Sequence, residues 1–372
     1  MTACTRCIYD DTVPGITFDE KGVCNYCKLH DEMERQYPTG AEGEKHLQKL
    51  AEEIKRDGRG RQYDCVIGIS GGCDSSYLLY LAKVKMGLRP IAVHFDNTWN
   101  SKTAVENIEI MLKKLDIPLW TLVMDNDEFN ALAAAMFKSS VPELDAISDI
   151  ALATTLYIAA EKFKVKYILE GHTFRTEGIT PIGWLYFDAK YIQDINKKFG
   201  KMKIKKFPNL WLSRWMKWMA MGIKKVRPLY YVDYNKEEIK KFLNKEFGWK
   251  WYGGHHMENR FAGFGHWLLN TKFKRDFRVV ELSAWIRSGQ ITREKALEEM
   301  KKAPYYPDDL KQEVFKRLEL SKEEYEEILR RPPKSEKDYK TYHKTFKILR
   351  PVFWIFYKTD RVTKSFYVKY CK

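Results

Sequence analysis

Residues 65–85 read CVIGISGGCDSSYLLYLAKVK, and this stretch decides the fold. An apolar run that ends at Ile69 predicts a buried strand, and a helical pattern begins a few residues later, at Asp74. Two glycines stand between them. The backbone N–H groups of a glycine turn, followed by a helix N-terminus, form a cradle for an anion. The stretch therefore predicts a phosphate-binding turn between a strand and a helix.

The predicted cradle combines three kinds of residue. Glycines let the backbone approach a ligand and adopt positive φ, serine hydroxyls donate hydrogen bonds, and Asp74 either caps the helix or helps to place Mg²⁺. No lysine follows the glycines, so the turn is not the G-x-x-x-x-G-K-S/T loop. An ordinary capped helix start is the alternative. The candidate phosphate-binding residues are Ser70, Gly71, Gly72, Asp74, Ser75 and Ser76.

Strands and helices alternate on both sides of this turn. The predicted strands are 63–69, 90–97, 118–124 and 166–173, and the predicted helices are 41–57, 74–87, 101–115 and 126–164, the last interrupted near 141–142. Short apolar strands separated by helices indicate a parallel sheet covered on both faces. Ligands of such sheets bind at the carboxyl ends of the strands. Polar residues fall there, at 70–76, 94–97 and 171–173.

Four of the seven cysteines form two C-x-x-C pairs, Cys4 with Cys7 and Cys24 with Cys27. Such pairs present thiolates at the spacing that tetrahedral zinc requires. A disulfide framework is disfavoured, because the N-terminus has no secretory signal pattern. Zinc is favoured, and an iron–sulfur cluster stays open. A closed four-thiolate site leaves no coordination position for catalysis, so we expect a structural metal.

The net charge is +15 and the pI is about 9.2. An acidic partner is expected, and nucleotide phosphate, nucleic acid and anionic lipid all qualify. No apolar run is long enough to span a bilayer, so we expect a cytoplasmic protein. Trp211, Trp215 and Met219 fall on one helical stripe in a basic segment. We favour a helix packed on the core, with peripheral contact at the inner membrane face as the open alternative for this segment and for the basic, aromatic C-terminal tail.

Five regions follow from these patterns. They are a metal knuckle (1–40), an α/β nucleotide-binding domain (41–190), a basic Trp-rich insertion (191–226), a mainly helical substrate-binding region (227–331) and a basic aromatic tail (332–372).

The string from Ser70 to Ser75 resembles the PP-loop of the ATP pyrophosphatase superfamily. The wider pattern is similar to one branch, the N-acetyl sugar amidotransferases of bacterial surface-polysaccharide synthesis. The pieces that carry this resemblance are the paired cysteines, the loop, Glu170-Gly171-His172-Thr173 with Glu177-Gly178, WYGGHHMENRF at 251–261 and FRVVELSAWIRSGQITREKAL at 277–297. They span about residues 1–330. The implied fold is a parallel-sheet α/β domain of the adenine nucleotide alpha hydrolase-like type, with an N-terminal zinc ribbon and a mainly helical C-terminal region.

The resemblance also implies roles for residues. The loop would bind the ATP phosphates, and strand-end residues would bind the rest of ATP: His94, Asp96, Gly171 and His172. Asp74 and Glu177 would be catalytic, the first through Mg²⁺ and the second by orienting the amide or ammonia. The polarity of the 251–261 motif assigns the nucleotide sugar to His256, Glu258, Asn259 and Arg260, with the neighbouring His255. A metal site at the two adjacent histidines is disfavoured.

The implied reaction makes an acetamidino sugar for lipopolysaccharide, O-antigen or capsule. The acetamido oxygen attacks the ATP α-phosphorus, pyrophosphate leaves, and ammonia then displaces AMP. The implied cofactors are ATP, Mg²⁺ and Zn²⁺. A separate glutaminase subunit, similar to the glutaminase of histidine biosynthesis and with or without a cyclase-like companion, would supply ammonia. No nucleic acid partner is expected. Two alternatives stay open: a PP-loop enzyme that thiolates tRNA, and a non-catalytic scaffold that binds nucleotide and membrane.

Overall fold

The computed structural model describes residues 2–254 and 256–371. Its centre is a five-stranded sheet in the order β3-β2-β1-β4-β5, in which every neighbouring pair is parallel. The strands are β1 (Cys65–Gly68), β2 (Pro90–Asp96), β3 (Leu119–Val123), β4 (Tyr167–Leu169) and β5 (Lys224–Val226). The predicted α/β fold with a parallel sheet is confirmed.

Helices account for most of the remaining chain. Those of the first half are α1 (Asn25–Gln36), α2 (Gly40–Asp57), α3 (Cys73–Tyr80), α4 (Lys102–Leu115), α5 (Asn126–Lys138), α6 (Ala146–Lys162) and α7 (Ala189–Phe199). Those of the second half are α8 (Leu212–Ala220), α9 (Lys236–Phe247), α10 (Arg260–Thr271), α11 (Arg278–Arg287), α12 (Arg293–Lys301), α13 (Leu310–Arg317), α14 (Lys322–Arg330), α15 (His343–Ile348), α16 (Arg350–Lys358) and α17 (Lys364–Phe366). Wider π-type turns continue α3 at Leu81–Lys85 and end the described chain at Tyr367–Cys371, and 3-10 turns lie at Pro228–Tyr231 and Glu336–Asp338.

Side chains of β1 alternate between two apolar layers, as the period of a strand requires. Cys65 and Ile67 face a cluster with α2, α3, α4 and α9, while Val66 faces α6 and α8 on the other side. All three are fully buried. The sheet is therefore covered on both faces at β1, which is why this strand reads as a continuous apolar run.

The chain reverses its direction of winding beside β1. From β1 it runs outward through β2 to β3, and β4 then returns to pair with the free side of β1. A parallel sheet opens a crevice at such a switch point, just beyond the carboxyl ends of the two strands. The loops that follow β1 and β4 therefore meet at the position where a ligand is expected.

Helices of the second half close one end of the domain. Phe261 of α10 packs against Phe129 of α5, with ring centroids 5.7 Å apart, and Phe264 packs against Phe137 at 5.5 Å. These rings belong to one buried cluster that also includes residues of α6, α7 and α13. The C-terminal region is thus fixed to the α/β domain by a shared core.

The Trp-rich segment is integrated into the fold. Its end, Lys224–Val226, supplies the fifth strand of the sheet, which the sequence analysis did not predict. In α8, Met219 is buried, Trp215 packs on Phe353 and Phe366 of the tail, and Trp218 is covered completely. The structure therefore has the packed helix that we favoured for this segment. Among the described residues, no helix is long and apolar enough to cross a membrane.

Candidate active site and metal centre

The predicted phosphate-binding turn lies at the switch point, between the loops that follow β1 and β4. A Cβ atom on Gly171 would lie 3.2 Å from the backbone nitrogen of Ser75, so the two loops are in close contact. Within the turn, the Oγ of Ser70 accepts from the N–H of Gly72 at 3.2 Å, and the Oγ of Ser75 donates to the Gly72 carbonyl at 3.2 Å. The N-cap residue of α3 is Gly72, which has no side chain to cap the helix, and the hydroxyl of Tyr252 accepts a hydrogen bond from the N–H of Cys73. Helix N-termini of this kind suit an anion.

Gly71 lies at a position where no residue with a Cβ atom would fit. Its φ is +79°, and an added Cβ would come within 2.2 Å of the carbonyl oxygen of Ala104. Its own carbonyl accepts from the Nδ2 of Asn107 at 3.2 Å and from the indole nitrogen of Trp249 at 3.0 Å. Ser76 is fully buried, and its Oγ has no hydrogen-bond partner among the described residues. Hydrogen bonds from residues outside the turn therefore fix its backbone, and the Ser76 hydroxyl remains as a possible donor to a ligand.

The carboxylate of Asp74 accepts hydrogen bonds from two residues that the sequence analysis did not single out. Its Oδ2 accepts from the Nζ of Lys236 at 2.6 Å, and its Oδ1 accepts from the hydroxyl of Tyr234. Both charged side chains are largely buried, Lys236 at 5% exposure and Asp74 at 14%. Burial alone would lower the pKa of Lys236, but the Asp74 carboxylate outweighs it and raises that pKa above its usual value. The pair is therefore a buried ion pair at the first turn of α3.

His94 and Asp96 lie at the carboxyl end of β2, next to the turn. The His94 Nδ1–H donates to the carbonyl of Ile69 at 2.8 Å, so Nε2 is the acceptor for the Nδ2 of Asn100 at 3.0 Å. Asp96 accepts from the N–H of Thr98 at 2.7 Å. Both ring nitrogens of His94 are engaged within the protein, and its contact with adenosine stays a prediction.

The loop that follows β4 brings the carboxylate of Glu177 towards the turn. Nδ1 of His172 is hydrogen-bonded to the carboxylate of Glu177. Burial raises the pKa of Asp74 despite the Lys236 cation, and the nearby charge of Glu177 adds to this rise. The same charge contributes to the raised pKa of Lys236. The structure thus brings together the two residues predicted to be catalytic, and their reaction roles stay predictions.

Two of the predicted sugar-binding residues connect the C-terminal region to the turn. Glu258 approaches it directly, since a Cβ on Gly72 would lie 3.5 Å from its Oε1. Asn259 is the N-cap of α10, and its Nδ2 donates to the side-chain oxygens of Asn97 at 2.9 Å and Asn100 at 3.1 Å. The amide of Asn259 therefore joins the start of α10 to the end of β2.

The other predicted sugar-binding residues have partners away from the turn. Arg260 pairs with Glu313 of α13 and with Asp309, whose Oδ1 is 2.9 Å from Nη2. His256 stacks on His266 with ring centroids 4.8 Å apart. Arg260 is therefore ion-paired with α13 and with the residue that precedes it. Substrate contact by these residues stays a prediction, and His255 lies outside the described residues.

The arrangement at the switch point suits a polyphosphate with a divalent cation. Helix N–H groups and serine hydroxyls are donors for phosphate oxygens. Asp74, Glu177 and Glu258 surround the same turn, and carboxylates beside phosphate are typical of Mg²⁺ sites. The donors and acceptors of this chain therefore fit ATP with Mg²⁺.

The predicted four-cysteine metal centre is assembled at the N-terminus. All four thiols are fully buried, and their Sγ atoms lie within 4.8 Å of one another. Three of the separations are 3.9 Å for Cys4 and Cys27, 3.7 Å for Cys7 and Cys24, and 3.6 Å for Cys24 and Cys27. A regular tetrahedron with metal–sulfur bonds of about 2.3 Å has edges of about 3.8 Å. The four sulfurs therefore fit a single tetrahedral metal ion.

A buried arginine from α11 completes this centre. Nη2 of Arg287 is 3.2 Å from the Sγ of Cys7, and Nε is 3.3 Å from the Sγ of Cys27. The same guanidinium carbon lies 4.6 Å from the ring centroid of Tyr9. Hydrogen bonds to ligand sulfurs tune and orient a metal site. Arg287 thereby ties the C-terminal region to the metal centre.

The sequence analysis missed Lys236, Tyr234 and Arg287. Lys236 follows the helix-capping Asn235 and reads as an ordinary residue at the start of a surface helix. Arg287 lies inside the 277–297 motif, but nothing in that motif indicates a cysteine partner. No local pattern could reveal either one, because each acts on a residue more than 150 positions earlier in the chain.

Comparison with known proteins connects the C-terminal region to polysaccharide synthesis. Residues 256–352 match the family described as "LPS biosynthesis protein WbpG-like, C-terminal domain". The chain is also 24% identical over 317 residues to the uncharacterized protein MJ1599 of Methanocaldococcus jannaschii, covering 84% of this chain and 98% of that protein.

Three solved structures align over much of the chain with low overall similarity. NMN synthetase from Francisella tularensis is 17% identical with a TM-score of 0.35, over 72% of this chain and 98% of that one. NH3-dependent NAD synthetase from Campylobacter jejuni is 14% identical with a TM-score of 0.31, over 72% and 99%. The U34-tRNA thiolase NcsA from Methanococcus maripaludis, solved with its [4Fe-4S] cluster, is 12% identical with a TM-score of 0.32, over 82% and 90%.

The family match falls on the part of the chain that supplies Glu258, Asn259 and Arg287. A PP-loop turn and this C-terminal region are thus joined in one molecule. Over residues 256–352, the family match confirms the resemblance to proteins of bacterial surface-polysaccharide synthesis.

Proposed function

We propose that this chain is an ATP-dependent amidotransferase that converts the acetamido group of a nucleotide-linked N-acetyl sugar into an acetamidino group. One observation carries the proposal. The predicted phosphate cradle at the switch point of the sheet is bordered by Glu258, from the region that matches a lipopolysaccharide biosynthesis family. The product would enter lipopolysaccharide, O-antigen or capsule.

The proposed chemistry needs no protein nucleophile. The acetamido oxygen attacks the α-phosphorus of ATP, the bond to the β-phosphate oxygen breaks, and pyrophosphate leaves. The O-adenylated imidate then has AMP as a good leaving group, and ammonia displaces it. The protein's task is to hold the reactants in line, stabilise developing phosphate charge and keep water out.

Three groups of residues divide this task. The N–H groups of the α3 N-terminus and the hydroxyls of Ser70 and Ser75 would bind the pyrophosphate portion of ATP. Asp74 would hold Mg²⁺, which, when bound, screens the charge of the phosphates. Glu177, oriented by His172, would align the amide or accept a proton from the entering ammonia.

The metal of the four-cysteine centre is proposed to be zinc with a structural role. The Sγ separations of 3.6–3.9 Å support one ion rather than a cluster. A cubane cluster binds its thiolates to separate irons and would hold the sulfurs much farther apart. A closed set of four thiolates has no open position for substrate.

The nitrogen is proposed to arrive as ammonia from a separate glutaminase subunit. A cysteine-dependent glutaminase needs an accessible nucleophilic thiol. All seven cysteines of this chain are buried. Burial raises the pKa of Cys73, the one cysteine at a strand-to-helix turn, to about 12. The same feature argues against Cys73 as a sulfur carrier in tRNA thiolation.

The test is pyrophosphate and AMP release by the purified chain with ATP and Mg²⁺. Reactions would contain UDP-linked N-acetyl sugars with ammonium chloride at raised pH, or bulk tRNA with a sulfide source. We expect release with a sugar nucleotide and mass-spectrometric loss of the acetamido oxygen from it. Release with tRNA alone would favour the thiolase, and no release with any acceptor would favour the scaffold.

The nitrogen source has its own test in the same assay. We expect turnover with ammonium chloride and none with glutamine until a glutaminase partner is added. Release of glutamate by the isolated chain at a comparable rate would contradict the separate-subunit proposal and leave the sugar reaction standing.

A further inference from the structure

Helix α16 is apolar on two opposite faces. Phe353 and Phe356 point into the cluster that also buries α8 and the end of the chain, and they are 0% and 9% exposed. Pro351, Trp354 and Ile355 lie on the other side at i, i+3 and i+4, where Trp354 is 49% and Ile355 53% exposed. A helix that is apolar all round is ordinarily buried. The outer face of α16 therefore has the composition of a contact surface.

The exposed face continues onto the end of α15. Ile348 is 78% exposed and precedes Pro351 by three residues. Arg350 and Tyr367 line a shallow hollow together with Pro351, Trp354 and Ile355. We call Ile348, Pro351, Trp354 and Ile355 the α16 patch.

Positive charge is concentrated in the segment that carries the α16 patch. Residues 343–364 contain six basic side chains and one acidic side chain, Asp360. Five of the basic residues are exposed, and none of these five forms an ion pair with a described carboxylate: Lys344, Lys347, Arg350, Lys358 and Lys364. The long stems of such residues can lie along an apolar surface while the charges reach outward. An apolar patch with a cationic rim complements a surface that is apolar within and anionic at its edge.

We propose that the α16 patch docks on an anionic lipid bilayer. Trp354 and Ile355 would enter the boundary between headgroups and acyl chains, and the basic rim would bind lipid phosphates. Tryptophan is enriched at this depth of a membrane. The nine residues of α16 are too few to span a bilayer, so the helix would lie in the interface plane.

The α16 patch is distinct from the Trp-rich stripe of α8. Trp215 of that stripe packs on Phe353 from the inner face of α16. The tail thus covers one amphipathic helix and presents another. The inference does not depend on the proposed reaction, and its test needs no turnover.

The test is flotation of the full chain with vesicles of phosphatidylcholine alone or mixed with phosphatidylglycerol. We expect binding to the mixed vesicles, weakened by salt. Trp354→Ser/Ile355→Ser should weaken binding at least tenfold through lost apolar contact. Lys347→Gln/Arg350→Gln should weaken it about twenty-five-fold, roughly fivefold per charge. Thermal unfolding would check that both variants remain folded.

Matched controls make comparable substitutions at exposed positions outside the α16 patch. Val123→Ser alters an exposed residue of β3, and Lys295→Gln/Lys301→Gln removes two exposed charges from α12. Both controls should bind as the wild type does. The proposal is overturned if the chain ignores anionic vesicles, or if patch and control variants lose binding equally. It is also overturned if the double patch variant abolishes self-association in sedimentation without any effect on vesicles, because a second copy would then be the occupant.

Discussion

The four-cysteine centre and the predicted phosphate-binding turn share one arrangement. Each is a short stretch of sequence, and each is completed by one buried cation from a distant helix. Arg287 of α11 lies 260 positions after Cys27, and Lys236 of α9 lies 162 positions after Asp74. Both cations compensate negative charge that burial would otherwise make costly.

The two sites differ in what the cation leaves for a ligand. Arg287 contacts sulfurs whose tetrahedral arrangement stays complete, as in a closed structural centre. Lys236 is bonded to the same carboxylate that was predicted to hold Mg²⁺. In the proposed reaction the carboxylate would exchange or share this partner when ATP binds. The comparison fits the proposal that one site maintains the fold and the other receives a ligand.

The largest effect is expected from Asp74→Asn. Pyrophosphate release should fall at least about thousandfold, which corresponds to about 4 kcal/mol of transition-state stabilisation. The fold should persist, because the Asn oxygen can still accept from Tyr234 or Lys236. Asp233→Asn, at an exposed neighbour, is the matched control and should retain activity. Wild-type release rates in a folded Asp74→Asn protein would remove Asp74 from the site.

Disruption of the metal centre should affect stability first. Cys24→Ser/Cys27→Ser should lose bound metal and lower the free energy of unfolding by at least about 3 kcal/mol, because a metal that binds only the folded state stabilises it. Metal content by mass spectrometry and urea unfolding would measure both effects. Purified wild-type protein without bound metal under reducing conditions would contradict the assignment.

Lys236→Met tests whether the buried pair supports the turn. Asp74 would lose its cation while remaining buried, and we expect a loss of about 3 kcal/mol in the free energy of unfolding. Adding Asp74→Asn should recover part of this loss, which a double-mutant cycle in urea would measure. Lys241→Met, on the exposed side of the same helix, is the control. Additive effects of the two substitutions would show that the pair carries no coupling.

Arg287→Leu is the corresponding test at the metal centre, with a smaller expected effect. It removes hydrogen bonds to two ligand sulfurs, and charged hydrogen bonds contribute about 2 kcal/mol. We expect faster metal loss to a chelator and a matching fall in the free energy of unfolding. Arg59→Leu, at an exposed position, should change neither. Unchanged metal retention in Arg287→Leu would mean that the guanidinium only fills space.

Local pattern made most of the framework predictable. Strands β1 to β4 are apolar runs bounded by turns, and the cysteine spacing encodes the metal centre within 24 residues. Strand β5 was missed because two of its three residues are lysines, and only its pairing with β4 makes it a strand. Lys236 and Arg287 were missed for the same reason, since tertiary contacts define them. His94 was placed correctly at the edge of the site, but its hydrogen bonds could not be read from sequence.

A fifth prediction concerns Glu170, a carboxylate at the same edge of the sheet that is paired with two cationic side chains. Glu170 follows β4 and is bonded to Lys225 at 2.7 Å and to Arg227 at 3.1 Å. Burial alone would raise its pKa, but the two cations lower it from 4.5 to about 2. A lowered carboxyl pKa stabilises the folded state above the unfolded value, and this contribution is lost as the pH falls from about 4.5 towards 2.

Glu170→Gln should therefore be destabilising at pH 7, and the difference from the wild type should narrow on acidification. Between pH 7 and pH 3.5 we expect it to shrink by about 1 kcal/mol, because the unfolded wild-type chain takes up the proton first. Urea unfolding of both proteins at the two pH values measures this difference. Asp233→Asn serves again as the exposed control. A difference that stays constant or widens towards acid would mean that Lys225 and Arg227 do not hold Glu170 ionised. The contrast with Asp74, which has one buried cation and the proposed ligand site beside it, would then lose its electrostatic basis.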